Sequence, residues 1–259
     1  MKFLHLTKTG STNDAVRTLA EQGKLGPLWL RADRQTSGRG RHGRNWTSPI
    51  GNLYASGLFP LGTAPLAGAH LGFAAALTIA DTIAAYAPMA KPSLKWPNDV
   101  LVGGAKISGI LLETGQSGRQ SWVIVGIGLN LVDHPADTPY PATHLMAHIA
   151  KEELDKAEPV FTGADDVMAV LSAQFEYWRG LYEQQGFSAL RKPWLSHASG
   201  MGKVANIRLA DRYFKAKLVG LGENGELQVE HDDGTIESIY AGDVFPAAAP
   251  TGEPHVTGN

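Results

Sequence analysis

The chain has 259 residues, of which 43% are hydrophobic, and its 23 lysines and arginines nearly balance its 25 aspartates and glutamates. Length and composition predict a globular protein with one main domain and room for a small appendage. The near-neutral charge excludes a chain-wide nucleic-acid footprint, and the absence of cysteine excludes disulfides, thiolate catalysis and cysteine-ligated zinc.

The beginning of the chain and the lack of cysteine also bear on its location in the cell. Residues 1–14 have neither the long apolar core nor the small-residue cleavage site of a secretory signal. A chain without cysteine is compatible with a reducing compartment. We therefore expect a cytoplasmic protein.

The first third of the chain predicts alternating helices and strands. Residues 11–23 begin with helix-capping residues and end in glycine, which is typical of a helix. Short strands are predicted within 26–35 and 51–60. The alanine-rich run at 66–87 is interrupted by a histidine and an aspartate, so it predicts a buried helix and no membrane span.

The rest of the chain changes character near residue 200. A buried strand is predicted at 121–131 and a long amphipathic helix at 162–186. After residue 200, short alternating runs separated by turns predict a small β-barrel. We therefore divide the chain into a catalytic domain at 1–199, a C-terminal domain at 200–247 and a disordered tail at 248–259.

A run rich in arginine and glycine, SGRGRHGRNW, occupies residues 37–46. Its three glycines permit close approach of the backbone to a ligand. Its three arginines suit carboxylate or phosphate, and its tryptophan offers a stacking surface. We expect this arginine loop to be mobile without ligand and to order over an anionic small molecule. A segment that touches RNA phosphates and a merely solvated loop are the alternatives.

The sequence SLKWPNDVLVGGAKISGILLET at 93–114 predicts a β-hairpin that turns at its Gly-Gly pair. Across such a turn Leu101 pairs with Lys106, and Asp99 lies one diagonal step from Lys106, roughly 7 Å between backbones. An acid and an amine would then project together from rigid strands, as a catalytic pair requires. An ordinary cross-strand ion pair on a solvated face is the alternative.

Four motifs together resemble one family. QTSGRGRHGRNW, LKWPNDV, KISGILLE and VGIGLN occur in an order and spacing similar to those of the biotin protein ligases, the biotin–[acetyl-CoA-carboxylase] ligases. The early STND turn resembles a further feature of that family. The resemblance covers about residues 3–132 by motif and the C-terminal module by layout.

The resemblance implies both a fold and a reaction. The fold is α+β: a mixed β-sheet flanked by helices, of the class II synthetase-like biotin/lipoate ligase type, followed by a small SH3-like barrel. In the reaction, biotin and ATP give biotinyl-5′-adenylate and pyrophosphate, and the adenylate then acylates one lysine of a biotin carboxyl carrier domain. Magnesium is expected with ATP, but the sequence does not identify its ligands.

The resemblance also assigns residues to the biotin end of the site, where a ureido head needs a few well-placed hydrogen bonds within an apolar slot. For the STN residues a helix cap is the competing role, and for the glutamine a strand-end side chain facing water. The assigned residues are Ser11, Thr12, Asn13, Gln35, Gly38, Arg39, Gly40, Arg41 and Lys106.

A second set is assigned to the nucleotide and to catalysis, because fixed cations must offset the repulsion between a carboxylate and the α-phosphate. Asp99 is expected to orient the acceptor amine or accept its proton. Asn130 has a strand-terminating role as its alternative. The nucleotide set is Arg41, Arg44, Trp46, Asn98, Lys106 and Asn130, and the catalytic set is Lys106, Arg41 and Asp99.

Partners and alternative functions follow from the same features. The STND turn begins at residue 11, which leaves no room before it for a DNA-binding domain, so we expect no sequence-specific DNA binding. The expected partner is the carrier domain of a biotin-dependent carboxylase, and a homodimer through the sheet edge is left open. The alternatives are a lipoate or octanoate ligase or transferase of the same fold, and a nucleic-acid-binding module.

Overall fold

The computed structural model describes residues 1–61, 67–138, 140–154 and 161–247. Its larger sheet has seven strands in the order β1-β2-β3-β7-β6-β5-β4, with β1 and β2 parallel and the other neighbours antiparallel. The predicted mixed sheet is therefore confirmed. The strands are β1 (Lys2–Leu6), β2 (Leu28–Ala32), β3 (Leu53–Pro60), β4 (Ser93–Lys95), β5 (Asp99–Val102), β6 (Ala105–Ser117) and β7 (Gln120–Leu129).

Helices cover both faces of this sheet. On β2, Leu28 and Leu30 pack with α1, whereas Trp29 between them packs with α2 and α4 on the opposite face. This follows from the alternation of side chains along a strand, and it explains why β2 is buried throughout. The helices are α1 (Thr12–Glu21), α2 (Ala67–Tyr86), α3 (Lys151–Leu154), α4 (Ala164–Gln185) and α5 (Ser188–Ser196), with short 3₁₀ turns at Arg41–Gly43 and Leu145–His148.

The apolar helix α2 lies in the core, as its composition predicts. Among the described helices it alone is long and apolar enough to cross a membrane, but 72% of the window Gly68–Tyr86 is buried within the protein. It packs against the sheet and against α4 and α5. Its hydrophobicity therefore serves the core of this fold.

The β5–β6 hairpin has the predicted turn, with Leu101 opposite Lys106 next to it. A bulge between Val100 and Leu101 then shifts the register, so that Asp99 lies opposite Gly109. The two-residue turn alone would have paired Asp99 with Ser108. The hairpin is thus formed as predicted near its turn and displaced by one residue beyond it.

The C-terminal part forms a second, antiparallel sheet in the order β11-β10-β9-β8-β12. This is the part of the chain predicted to form a small SH3-like β-barrel, and its strands pair as one five-stranded antiparallel sheet. The tail predicted at 248–259 lies outside the described residues. The strands are β8 (Val204–Arg208), β9 (Tyr213–Leu221), β10 (Leu227–Glu230), β11 (Ile236–Ile239) and β12 (Asp243–Pro246).

Hydrogen bonds fix the second sheet to the first part of the chain. The β9–β10 turn accepts from His70 Nε2 at Asn224 O (3.1 Å) and from Trp96 Nε1 at Gly225 O (3.2 Å). Arg191 of α5 donates to Leu221 O at the end of β9. Helices α2 and α5 and the KWPND segment (residues 95–99) all hydrogen-bond to this region. These bonds fix the position of the second sheet, including β12, relative to the large sheet.

Candidate active site

One cavity of about 720 Å³ lies between the sheet, the arginine loop, the β5–β6 hairpin and the second sheet. Thirteen of the fourteen predicted site residues line it. Its charged lining has six basic side chains and two acidic ones, so it suits an anion. The basic residues are Arg39, Arg41, Arg44, Lys95, Lys106 and Lys203, and the acidic ones are Asp99 and Asp243.

Gly38 is the predicted site residue that does not line the cavity. It is buried beneath the residues that line the cavity, where a Cβ would lie 2.5 Å from Trp46 O, 2.7 Å from Ser48 Oγ and 2.9 Å from Gln35 Nε2. Its carbonyl accepts from the Trp46 backbone N–H (2.9 Å), which closes the base of the arginine loop. The glycine is therefore needed for the loop to fold back against Gln35.

Ser11, Thr12 and Asn13 lie at the start of α1 and line one end of the cavity. Ser11 occupies the N-cap position without a side-chain cap bond. Gln35 Oε1 instead accepts from the Thr12 backbone N–H (2.8 Å) and hydroxyl (3.1 Å). Gln35 thus caps the helix from a distant segment, which leaves the Ser11 hydroxyl available to a ligand.

Ser56 and Glu113 extend this polar end. The Ser56 hydroxyl, fully buried on β3, donates to Asn13 Oδ1 (2.6 Å) and also lies 2.8 Å from Thr12 Oγ1. Asn13 Nδ2 donates to Glu113 Oε2 on β6 (2.9 Å). The hydroxyl and amide groups of this region, with the Glu113 carboxylate behind Asn13, form a hydrogen-bonding wall suited to a small polar head.

The two glycines of the VGIGLN motif make room for side chains that cross the sheet. A Cβ on Gly126 would lie 2.3 Å from Asn13 Oδ1, and a Cβ on Gly128 would lie 2.5 Å from the Trp46 ring. Both glycines belong to β7 and face the cavity. They form the floor on which Asn13 and Trp46 rest.

Lys106, Asp99 and Trp46 meet in the middle of the cavity. Lys106 Nζ lies 2.5 Å from Asp99 Oδ1 and 5.3 Å from the centre of the Trp46 ring. Both charged side chains are partly shielded, with 34% of Lys106 and 17% of Asp99 exposed. The predicted contact is present within the cavity, which argues against an ordinary ion pair on a solvated face.

Lys95 is a second ammonium beside the same carboxylate. Its Nζ lies 3.8 Å from Asp99 Oδ2 and about 5.5 Å from the rings of Tyr140 and Phe245. Burial lowers the pKa of Lys95, against the opposing effect of Asp99. Asp99 therefore lies between two cations.

The outer arginines of the loop converge on Asp243 of β12. Arg41 and Arg44 both bind this carboxylate, as does Arg208 of β8, and Arg41 also donates to Gly242 O (3.1 Å). Burial alone would raise the pKa of Asp243, but hydrogen bonds from Arg208 and Arg44 and the nearby arginine charges lower it to about 2. The second sheet thereby closes one side of the cavity.

Arg39, at the other end of the loop, points to a different acidic pair. Its Nη2 lies 2.7 Å from Asp14 Oδ1 and 3.4 Å from Glu113 Oε1. Arg17 binds both of the same acids, at 3.0 and 2.6 Å. The loop is therefore held by α1 and β6 at one end and by the second sheet at the other.

Asn98 and Asn130 brace backbone as well as lining the cavity. Asn98 Nδ2 donates to Ile110 O (2.8 Å), and Asn130 Nδ2 donates to Thr143 O (3.0 Å). Asn98 Oδ1 lies 3.5 Å from Arg41 Nη1. The strand-terminating role considered for Asn130 is consistent with this geometry, and both amides retain an oxygen for a ligand.

Comparison with known proteins decides the family. Residues 7–130 match the model of the biotin/lipoate A/B protein ligase family, and residues 202–245 match that of the biotin protein ligase C-terminal domain. A biotin–[acetyl-CoA-carboxylase] ligase of Paracoccus denitrificans is 35% identical over 244 residues, covering 93% of this chain and 98% of that protein. The chain belongs to the biotin protein ligase family.

Other relatives agree with this family. The bifunctional ligase/repressor BirA of Bacillus subtilis is 31% identical over 90% of this chain and 70% of its own length. The biotin protein ligase of Aquifex aeolicus in complex with biotin and ATP matches with a TM-score of 0.75 and 27% identity, covering 94% of this chain and 97% of that chain.

Several residues in this biotin protein ligase fold escaped prediction from the sequence. Ser56, Glu113 and Asp243 each contact two or more predicted site residues. Ser56 and Asp243 lie in strands outside the four motifs, whereas Glu113 ends the KISGILLE motif but was given no role there. An excess of arginine over acid in the loop was the available signal that acidic partners must come from elsewhere in the chain.

Proposed function

We propose that the chain is an ATP-dependent biotin protein ligase. It activates biotin to biotinyl-5′-AMP and then transfers the biotinyl group to a lysine of a biotin carboxyl carrier domain. The observation that carries this conclusion is one cavity that combines a hydrogen-bonding wall of hydroxyl and amide groups at one end with six cations in its lining. Those two environments suit a ureido head and a carboxylate meeting a phosphate.

In the first step an oxygen of the biotin carboxylate attacks the α-phosphorus of ATP. The bond from that phosphorus to the bridging oxygen breaks, and pyrophosphate leaves. Lys106 is held by β6 in the middle of the cavity, where its ammonium would balance the charge of both anions. Arg41 and Arg44, on the covering loop, would stabilise the phosphate oxygens and retain the adenylate.

The polar wall is assigned to the biotin ring. Ser11, Thr12, Asn13 and Gln35 offer hydroxyl and amide groups, and the backbone of Gly40 and the loop would close over the chain of the vitamin. The Trp46 ring packs against Gly128 beside Lys106, a position suited to stacking with adenine. Asn98 and Asn130 would contact the nucleotide through their amide oxygens, of which that of Asn98 also lies 3.5 Å from Arg41 Nη1.

In the second step the acceptor amine attacks the acyl carbon, and AMP leaves. The attacking amine must be neutral, and it loses a proton as the amide forms. Asp99, which lines the cavity, would orient the amine or accept that proton. Lys106 and Lys95 both form ion pairs with this carboxylate. No covalent bond to the protein is required at either step.

Magnesium is proposed to enter with ATP. The described part of the chain contains no cluster of three or more His, Cys, Asp or Glu residues that could form a metal site. Both carboxylates in the cavity are already bound by basic side chains. The ion would therefore be held mainly by phosphate oxygens and water, with the free oxygen of Asn130 as a candidate ligand.

Mass spectrometry of a biotin carboxyl carrier domain, after incubation with the chain, biotin, ATP and magnesium, tests this function. We expect a mass gain of one biotin that requires ATP and is lost when the acceptor lysine is replaced. A parallel reaction with lipoate tests the alternative, because the first family model also includes lipoate ligases. Modification by lipoate and not by biotin would overturn the proposal.

The remaining partner assignments are proposals with their own tests. The carrier domain of acetyl-CoA carboxylase is the proposed acceptor, since relatives are named for that substrate. The absence of sequence-specific DNA binding is checked by gel-shift titration at physiological salt. A homodimer is checked by sedimentation, and the cytoplasmic location by cell fractionation.

A further inference from the structure

Glu113 stands where the polar wall meets the arginine loop. Its Oε2 accepts from Asn13 Nδ2 (2.9 Å), while its Oε1 lies 2.6 Å from Arg17 and 3.4 Å from Arg39. The side chain is 23% exposed and is mounted on β6, which pairs with β7 along its length. A single carboxylate therefore contacts both the wall and the loop.

The first contact fixes which way the Asn13 amide points. An ionised glutamate can only accept hydrogen bonds, so the amide nitrogen must face Glu113. The amide oxygen then faces Ser56, which donates to it at 2.6 Å. If Glu113 were neutral or absent, rotation of the Asn13 amide by 180° would sacrifice a weaker hydrogen bond. Asn13 would then present its oxygen in some molecules and its nitrogen in others.

The second contact holds the loop at its first arginine. Arg39 binds Asp14 and Glu113 through Nη2, and among the described residues none accepts from its Nε or Nη1. Beyond Arg39 the loop is closed by bonds from Gly40 N to Arg44 O and from Trp46 N to Gly38 O. Movement of Arg39 therefore moves the segment that covers the cavity.

We propose that Glu113 is a positioning residue that couples recognition of the biotin ring through Asn13 to closure of the arginine loop through Arg39. This rests on the proposed ligase function and adds a link between its two halves. A ring bound to Asn13 holds Glu113 in place, which favours the Arg39 contact and a closed loop. By reciprocity, a closed loop increases affinity for the ring.

Glu113→Gln tests this, because it keeps the size of the side chain but removes its charge. We expect the KM for biotin and the release rate of biotinyl-adenylate each to rise about tenfold, the scale of a lost hydrogen bond to a charged group. The KM for ATP and the kcat at saturating biotin should change less than twofold. Glu230→Gln, at an exposed pair with Lys217 in the second sheet, is the matched control and should change none of these values.

A double-mutant cycle separates the two branches. In an Arg39→Gln background, Glu113→Gln should no longer accelerate adenylate release, because the contact between residues 39 and 113 is already lost. It should still raise the KM for biotin, because the contact with Asn13 is independent of Arg39. Additive effects on release would overturn the coupling. Equal losses in kcat and in both KM values would show a merely structural role and would also overturn it.

Hydrogen exchange of the ligand-free proteins gives a readout that does not depend on catalysis. Glu113→Gln should speed exchange at the Gly40 and Trp46 amides of the loop, while the Glu230→Gln control should not. Unchanged exchange at those amides would contradict the loop branch. If the parent forms no adenylate from biotin, the proposed function fails, and this exchange comparison still decides whether Glu113 holds the loop.

Discussion

The arginine loop and the β5–β6 hairpin both bring cations to the cavity, but they hold them in different ways. Arg39, Arg41 and Arg44 are held by acids on α1, β6 and β12. Lys106 is held by the strand that carries it, next to a two-residue turn. Ion pairs can exchange for a ligand, whereas a strand ladder cannot, so the loop is suited to opening and the hairpin to fixed geometry.

The largest loss of activity is expected from Lys106→Met, which removes the cation carried by the rigid β5–β6 hairpin. The substitution keeps the apolar stem beside Trp46 and removes the ammonium. Adenylate formation should fall about 10²–10³-fold, as when one preorganised charge donor is lost. Pyrophosphate release at saturating ATP measures it.

Lys217→Met provides the control for that loss. Lys217 pairs with Glu230 on the second sheet, outside the residues that line the cavity. It should retain the parental rate. A fall of less than tenfold in the Lys106 variant would remove this ammonium from the catalytic role.

Loss of an ion pair of the arginine loop should affect retention of biotinyl-adenylate more than the rate of its formation. Arg41→Gly removes the contacts of that side chain with Asp243 and Gly242 as well as a cation in the cavity, and it leaves the Arg44 contact with Asp243 in place. We expect biotinyl-adenylate to dissociate about 10–100-fold faster, because hydrogen bonds to charged groups contribute roughly 1.5–3 kcal/mol. A pulse-chase of the bound adenylate against excess unlabelled biotin measures the release.

The control for Arg41→Gly is Arg212→Gly, which breaks an exposed pair with Glu237 in the second sheet. Its adenylate should be retained as in the parent. An Arg41 variant that releases adenylate no faster than this control would contradict the retention role of the loop.

Asp243→Asn should sharpen the comparison through pH. The pKa of Asp243 is about 2 in the folded protein against an ordinary 3.8, so its ionised form stabilises the fold by about 2 kcal/mol. That contribution is complete above about pH 4 and is lost as the pH falls from about 4 toward 2. Urea unfolding of parent and variant should therefore differ at pH 7 and converge in acid. A constant difference across that range would contradict the assignment.

The two regions also differ in how far the sequence predicts them. Asp99 and Lys106 are seven residues apart, and a two-residue turn was enough to predict their contact, even though a bulge shifted the pairing of Asp99. The loop's partners are far away: 74 residues separate Arg39 from Glu113, and 202 separate Arg41 from Asp243. Contacts of that kind depend on how sheets and helices pack, which local patterns do not specify.

The smallest expected effects come from the floor on which both regions rest, and they separate the two halves of the site. Gly126 and Gly128 lie two residues apart on β7, but an added Cβ would strike Asn13 at the first and Trp46 at the second. Gly126→Ala should therefore raise the KM for biotin about tenfold, and Gly128→Ala the KM for ATP by a similar factor, since overpacking costs roughly 1–3 kcal/mol.

Steady-state kinetics with each substrate varied in turn measure this split. Gly180→Ala is the control, because a Cβ there meets open space on α4 and should leave both KM values unchanged. If each alanine raised both KM values equally, Asn13 and Trp46 would serve one shared ligand surface. If Gly126→Ala raised only the KM for biotin and Gly128→Ala only the KM for ATP, biotin and nucleotide would bind to separate parts of the floor, with Lys106 between them.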